Sequence, residues 1–318
     1  MASKKGRTTI RDVARLAEVA PITVSRVVNN SGYIRPETRR RVEQAIAHLN
    51  YIPNTLSQSL RFQKTDMVAL LVSDITNPFW TTVTRGVEDI CSTHDLNVIL
   101  CNTDEQNAKL ENYVGFLLRR QTDGFLVVPT SHDIRAIETI VNNGVPIVLL
   151  DRVLPDVDVA VVRSDNESGA YRLTEHLISL GHQRIGMLSG NAPVSTSVER
   201  ARGYERALVD HGIPVDRALI HYGSFTQQSG YEMALRLLQS SQPRPTAFFA
   251  ANNFIANGVQ KAAYDSGLRI PEDLSLVTFD DLPFYSYPRP FLTSAIQNPY
   301  RLGQEAAKLL VQQIQSDD

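Results

Sequence analysis

From Met67 onward the chain alternates short apolar runs with helical patterns, and this rhythm constrains the fold more than any other feature. The runs are Val68–Val72, Asn97–Cys101, Gly124–Val128, Pro146–Leu150, Arg184–Leu188, Thr246–Ala250 and Ser275–Phe279. Runs rich in Val, Ile and Leu that alternate with helices predict parallel strands covered on both faces. There are too many for one compact sheet with short connections. The pattern therefore predicts two similar α/β lobes, with a boundary near Val161–Ser164 and a return near Pro290–Thr293.

In such sheets ligands bind beyond the carboxyl ends of the strands. The segments following the runs are Ser73-Asp74-Ile75-Thr76-Asn77-Pro78-Phe79-Trp80, Asn102-Thr103-Asp104, Pro129-Thr130-Ser131-His132, Asp151-Arg152, Ser189-Gly190-Asn191, Asn252-Asn253 and Asp280-Asp281. Carboxylates, amides and hydroxyls beside aromatic rings suit a hydroxylated ligand. Paired donors and acceptors satisfy OH groups, and a flat ring covers the C–H face.

The first sixty residues carry helical patterns and no convincing strand. Thr9 can cap a helix with Ile10, Val13, Ala14, Leu16 and Ala17 as its apolar positions. After a break at Glu18-Val19-Ala20, Pro21 suits the first turn of a second helix, where its missing N–H costs nothing. That helix stops at Asn29-Asn30-Ser31-Gly32. A third runs from near Pro36 to Leu49, with Val42, Ala45, Ile46 and Leu49 on one face. Two helices joined by a tight turn, with a third to bury their apolar faces, predict a helix-turn-helix module. Beyond Asn50-Tyr51-Ile52-Pro53-Asn54, the stretch Thr55–Arg61 is too short to be a stable helix by itself in water.

Charge divides the chain in the same place. Residues 1–64 hold twelve Lys and Arg against four acids, a net +8, and the remainder carries −10. A basic head on an acidic body predicts that the head meets a polyanion. No apolar stretch approaches the ~18 residues of a membrane span, and the amino-terminal residues MASKKGRTTIRDVARLA lack the apolar core of a secretory signal. A cytoplasmic protein is therefore expected. Cys91 and Cys101 read as reduced core thiols. The sequence contains no G-x-G-x-x-G, G-x-x-x-x-G-K-[ST], H-E-x-x-H or G-x-S-x-G, and its seven histidines are scattered. No metal, nucleotide cofactor or serine-hydrolase activity is implied. Two readings of the acidic body stay open by themselves: a cytoplasmic carbohydrate-binding protein, and a carbohydrate-active enzyme using Asp151 and Asp280 as a carboxylate pair.

Several motifs resemble the lactose-repressor/galactose-repressor (LacI/GalR) family of transcription regulators. They are Thr9-Ile10-Arg11-Asp12-Val13-Ala14, Thr23-Val24-Ser25-Arg26-Val27-Val28-Asn29, Asn50-Tyr51-Ile52-Pro53-Asn54, Gly181-His182-Gln183-Arg184-Ile185-Gly186, Arg200-Ala201-Arg202-Gly203-Tyr204 and Phe279-Asp280-Asp281. The match covers nearly the whole chain. It implies a sequence-specific DNA-binding regulator, a repressor by expectation, acting as a homodimer on a palindromic double-stranded operator and controlled by a small sugar-like effector. The implied fold is an all-α helix-turn-helix head (1–50), a hinge helix and linker (51–65) and a two-lobed core of parallel sheets like a periplasmic binding protein (66–318). The amino-terminal lobe takes 66–162 and 293–318, and the carboxy-terminal lobe 163–292.

By resemblance, the helix beginning at Pro21 enters the major groove. Pro21 and Ile22 then meet thymine methyls and Arg26 a guanine, although Arg26 also suits a phosphate contact or a solvated charge, and Pro21 and Ile22 suit helix initiation and packing. Thr9, Thr23, Ser25 and Asn29 look like phosphate contacts, with Tyr51, Asn54 and Ser57 adding to the DNA-binding set. Leu60 stands where the family wedges a leucine into the minor groove. Effector positions map onto Asp280, Arg200, Asn252, Phe79, Asn77 and Asp151. For Phe79 a stacking platform and plain core packing both stay open, as do mouth closure and surface packing for Tyr285 and Tyr287. His182 reads as structural.

There are departures from the family pattern. Glu18 replaces the usual turn glycine, which costs roughly 1 kcal/mol in a left-handed turn. Asn253 replaces a frequent aspartate. The sequence stops at Gln315-Ser316-Asp317-Asp318, where the family continues into a further strand, and no heptad segment for tetramers follows.

Overall fold

The computed structural model describes residues 8–52, 64–130, 134–240, 243–281 and 292–316. The chain divides into two units at Lys64/Thr65.

In the first unit, helices α1 (Ile10–Leu16), α2 (Pro21–Val28) and α3 (Pro36–His48) bury Val13, Ala14, Ala17, Val24, Val27, Val42 and Ala45 in a shared core. The Asp12 carboxylate accepts both the Thr9 backbone N–H (3.0 Å) and its hydroxyl (2.6 Å), tying down the start of α1. Glu18 sits at φ 54 in the turn to α2. Leu16, expected on the buried face, is 49% exposed. Ile10, Val13, Ala14 and Ala17 centre the buried stripe, and Leu16 stands at its margin, about 100° around the helix from Ala17.

The second unit holds two parallel five-stranded sheets, ordered β2-β1-β3-β4-β5 and β10-β9-β8-β6-β7. The strands of the first are β1 (Met67–Val72), β2 (Asn97–Asn102), β3 (Gly124–Val127), β4 (Ile147–Leu150) and β5 (Ala160–Val162). Those of the second are β6 (Ile185–Ser189), β7 (Ile220–Tyr222), β8 (Ala247–Ala250), β9 (Ser275–Phe279) and β10 (Thr293–Ala295). The two orders correspond strand for strand, so the lobes repeat one topology. Helices cover both faces of each sheet, as the unbroken apolar strands require. On the first sheet, α4 (Pro78–Ser92) and α11 (Pro299–Ser316) bury Val83, Val87, Ala306 and Leu310, while α5 (Asn107–Leu118) and α6 (Arg135–Asn142) bury Leu110, Val114, Ile137 and Ile140 on the opposite face. On the second, α9 (Gln227–Ser240) and α10 (Asn253–Asp265) lie opposite α7 (Asn166–Ser179) and α8 (Ser195–Asp210). Helices α4 and α11 cross so closely that a Cβ on Gly86 would lie 2.1 Å from the Tyr300 carbonyl oxygen.

The seven expected strands are present, and β5, β7 and β10 add to them. β10 corrects the expected return point. Thr293–Ala295 pairs with β9 in the second sheet, so the return to the first lobe follows Ala295, and residues 293–295 belong to the carboxy-terminal lobe. Among the described residues, no helix is long and apolar enough to cross a membrane, and no cluster of three His, Cys, Asp or Glu side chains is placed to hold a metal ion.

Candidate functional site

The carboxyl ends of strands from both sheets face a cavity of about 230 Å³ between the lobes. It brings together all six expected core residues: Asn77, Phe79, Asp151, Arg200, Asn252 and Asp280.

Asp151 follows β4 and Asp280 follows β9, at corresponding places in the two lobes. Both adopt φ 64. The Asp151 N–H donates to the Val162 carbonyl (2.8 Å), and that of Asp280 to the Ala295 carbonyl (3.0 Å). Each backbone bond reaches the last residue of the neighbouring edge strand, which turns the carboxylate away from the sheet. Asp280 accepts from Gln297 Nε2 (2.8 Å). Asp151 Oδ1 and Gln297 Oε1 are buried without a hydrogen-bond partner. Burial raises the Asp280 pKa to about 6 against the opposing pull of Arg200 and the Gln297 hydrogen bond. Burial likewise pushes Asp151 up, opposed by Arg200 and Arg152.

Arg200, on α8, donates through Nε to Asn166 Oδ1 (2.9 Å) and through Nη1 to the Ala251 carbonyl. Its guanidinium carbon stands 3.9 Å from the Phe279 ring centroid, a cation–π seat that fixes its plane. Arg200 is held by a neutral frame and meets Asp280 through the field between them.

Asn252 and Asn77 carry structural duties first. Asn252 Oδ1 accepts the Ile255 N–H (2.8 Å) at the start of α10, and Asn77 Oδ1 accepts the Phe79 N–H (3.0 Å) at the start of α4. Asn77 also exchanges two amide bonds with Asn253, each 3.0 Å, across the gap between the lobes. This buried pair explains the departure at Asn253. An aspartate there could return only the acceptor half. Phe79 is both lining and core. It stacks edge-on against Trp80, with centroids 4.8 Å apart, and joins the first-lobe core.

Two further side chains complete the site. Arg152 makes a two-pronged bond to Glu105 (2.7 and 2.6 Å), donates to the Pro129 carbonyl (2.7 Å) and leaves its buried Nε without a hydrogen bond, 3.9 Å from Asp151 Oδ2. Its sequence neighbour Asp151 pointed to this position, but Glu105, 47 residues away, gave no signal. Gln297 lies in the return segment, after a strand too short to register as an apolar run. His182 bridges Thr246 and Ser275 (2.9 Å each) and tethers strands, as expected.

In the head, Pro21, Ile22 and Arg26 are exposed on α2, with Ile22 62% exposed. Thr23 and Ser25 are half-buried, and the Asn29 amide donates to Ser25 Oγ (3.3 Å). Thr9 is exposed, with its hydroxyl on Asp12. Tyr51 packs against the head core. Asn54, Ser57, Leu60, the expected hinge helix, Tyr285 and Tyr287 lie outside the described residues.

The profile of periplasmic binding proteins and the sugar-binding domain of the LacI family matches residues 65–318, and that of bacterial regulatory proteins of the lacI family matches residues 9–54. The chain belongs to the LacI family. Catabolite control protein A of Priestia megaterium is 35% identical to it, the match covering 95% of this chain and 91% of that protein. Among solved structures, the lac repressor dimer bound to operator and the anti-inducer ONPF superposes with a TM-score of 0.83 at 27% identity, covering 98% of this chain and 94% of that one. The CelR–cellobiose complex, also a transcriptional regulator, gives 0.73 at 33% identity, covering 98% and 94%. Membership makes this LacI-family chain a DNA-binding transcription regulator, and its relatives are regulators rather than enzymes.

Proposed function

We propose that this regulator is a cytoplasmic repressor that binds a palindromic duplex operator as a homodimer and is controlled by a small sugar held between the core lobes. The observation that carries the effector reading is the cleft itself. Buried polar atoms without hydrogen-bond partners, Asp151 Oδ1, Gln297 Oε1 and Arg152 Nε, stand beside Phe79 and Trp80 in one cavity. Unmet buried polar groups cost free energy, and a hydroxylated ligand with an apolar ring face offsets that cost. The relatives point the same way, since one structure holds cellobiose and another the lac repressor on its operator.

In this reading residues 1–50 read the operator, with Pro21, Ile22 and Arg26 at base edges and Thr9, Thr23, Ser25 and Asn29 on phosphates. Residues 51–65 connect head to core. Asp280, Arg200, Asp151 and Asn252 take hydroxyl groups, and Asn77 joins Asn253 to hold the lobes together around the ligand. A 100-fold change in operator affinity requires the effector to favour one state by about 2.7 kcal/mol.

The test is fluorescence anisotropy on an operator enriched from random duplexes, titrated with a panel of pentoses, hexoses and disaccharides. The expected result is a sequence-selective complex whose affinity at least one sugar changes tenfold or more. A protein that binds sugars but shows no preference among duplexes would instead be a simple carbohydrate-binding protein, and the proposal fails.

A further inference from the structure

We infer that the cleft accepts uncharged polyhydroxylated ligands and turns away their phosphate esters and carboxylic acids, with Asp151 and Asp280 setting that choice. The inference rests on the effector reading above and narrows it.

Five carboxylates line the cavity: Asp74, Asp104, Glu105, Asp151 and Asp280. Only two guanidiniums, Arg152 and Arg200, oppose them among the described lining residues. Both cations are already largely committed to acceptors of the protein. Arg152 gives both terminal nitrogens to Glu105 and shares one with the Pro129 carbonyl, while its Nε makes no hydrogen bond and faces the Asp151 carboxylate at 3.9 Å. Arg200 spends Nε on Asn166 and Nη1 on Ala251, rests on Phe279, and already feels the charges of both Asp280 and Asp151.

The unmet atoms state the same preference. Asp151 Oδ1 and Gln297 Oε1 are acceptors, and both are buried. They call for hydrogen-bond donors at those points, which an ionised phosphate or carboxylate group cannot supply and a sugar hydroxyl can. Arg152 Nε then meets a hydroxyl or ring oxygen. Backbone N–H groups at helix starts, the usual seat for phosphate, are partly withdrawn too. Asn77 Oδ1 takes the Phe79 N–H in α4, and Asn252 Oδ1 takes the Ile255 N–H in α10. Adding a dianion here would place like charges together with little water to screen them.

The experiment uses the full-length protein and matched probes: ribose with ribose 5-phosphate, glucose with glucose 6-phosphate and gluconate, and cellobiose. Thermal shift identifies binders, and calorimetry ranks them. The expected outcome is a neutral binder whose phosphate or acid counterpart is at least 30-fold weaker. In Asp151→Asn that ratio should narrow at least fivefold, because an amide keeps the shape and loses the charge. Asparagine tolerates the left-handed backbone, so the variant's circular dichroism should match wild type. An anionic probe binding as tightly as its neutral partner overturns the inference and leaves the effector reading standing. A ratio unchanged in Asp151→Asn overturns the role given to Asp151. Silence across the whole panel overturns both readings. The wild-type comparison needs no variant and decides the ligand class by itself.

Discussion

Replacing Asp280 by asparagine should make the ligand-free protein more stable, and only above a definable pH. Burial raises the Asp280 pKa from 3.8 to about 6 in the folded chain. A native pKa above the unfolded one means that the folded state holds the proton more tightly. The stability this provides is complete below pH 3.8, declines as pH rises, and is gone once pH passes about 6. The gap corresponds to about 3 kcal/mol lost at neutral pH. The introduced amide would mimic the protonated acid. It fits the left-handed backbone and still offers an oxygen to Gln297. The variant should therefore gain about 2–3 kcal/mol at pH 7.5, or about 5–10 °C in melting temperature for a unit of this size, and nothing below pH 4. Melting curves of both proteins from pH 4 to 8 give the difference directly, because titrations shared by the two cancel. A variant that melts no higher than wild type at pH 7.5, or an advantage equally large at pH 4, refutes the reasoning. Asp280→Ala, which removes the polar group altogether, should instead abolish the effector response while leaving operator binding nearly intact.

Asn253→Ala should release the lobes. It deletes both 3.0 Å bonds to Asn77 and strands a buried amide, about 2–4 kcal/mol against the joined state; small-angle scattering should report a larger radius of gyration, and an unchanged one counts against the clasp. Arg26→Ala should cost about 1–3 kcal/mol on the selected operator and relax preference at one base. Equal weakening on unrelated DNA in gel-shift titrations would rule out base reading. Glu18→Gly should stabilise the head by about 0.5–1 kcal/mol by relieving a side chain at φ 54. The exposed pair with Arg41 that it removes, at 3.8 Å, is worth less than that, so a lower melting temperature would mean the turn is not strained.

The seven longer strands were legible because each is an apolar run of four to six residues. Ala160–Val162, Ile220–Tyr222 and Thr293–Ala295 were not. Each has three residues, lies at a sheet edge and is only partly buried, so its composition carries little periodic signal. That shortness moved the expected lobe return to residue 293, before β10 instead of after it. Leu16 shows the converse failure, an apolar residue at a helical position that stays half in solvent at the margin of the buried stripe. At the cleft, Asp151 and Asp280 were legible because each opens the turn after an apolar strand. The same turns did not show that Asn77 and Asn252 begin helices, nor that Asn77 reaches Asn253 across 176 positions. Gln297 was invisible for the same reason as β10, and Arg152, though in a marked turn, did not show its distant glutamate partner.

The matching backbone at Asp151 and Asp280 bears on how such a protein can change what it senses. Each carboxylate hangs from a left-handed residue whose N–H is already tied to the next strand, and that shape suits aspartate and asparagine alike. Exchange between acid and amide at either place leaves the chain path untouched. The two halves thus behave as separately adjustable knobs on ligand charge, and new selectivities lie one nucleotide substitution away without a detour through an unfolded intermediate.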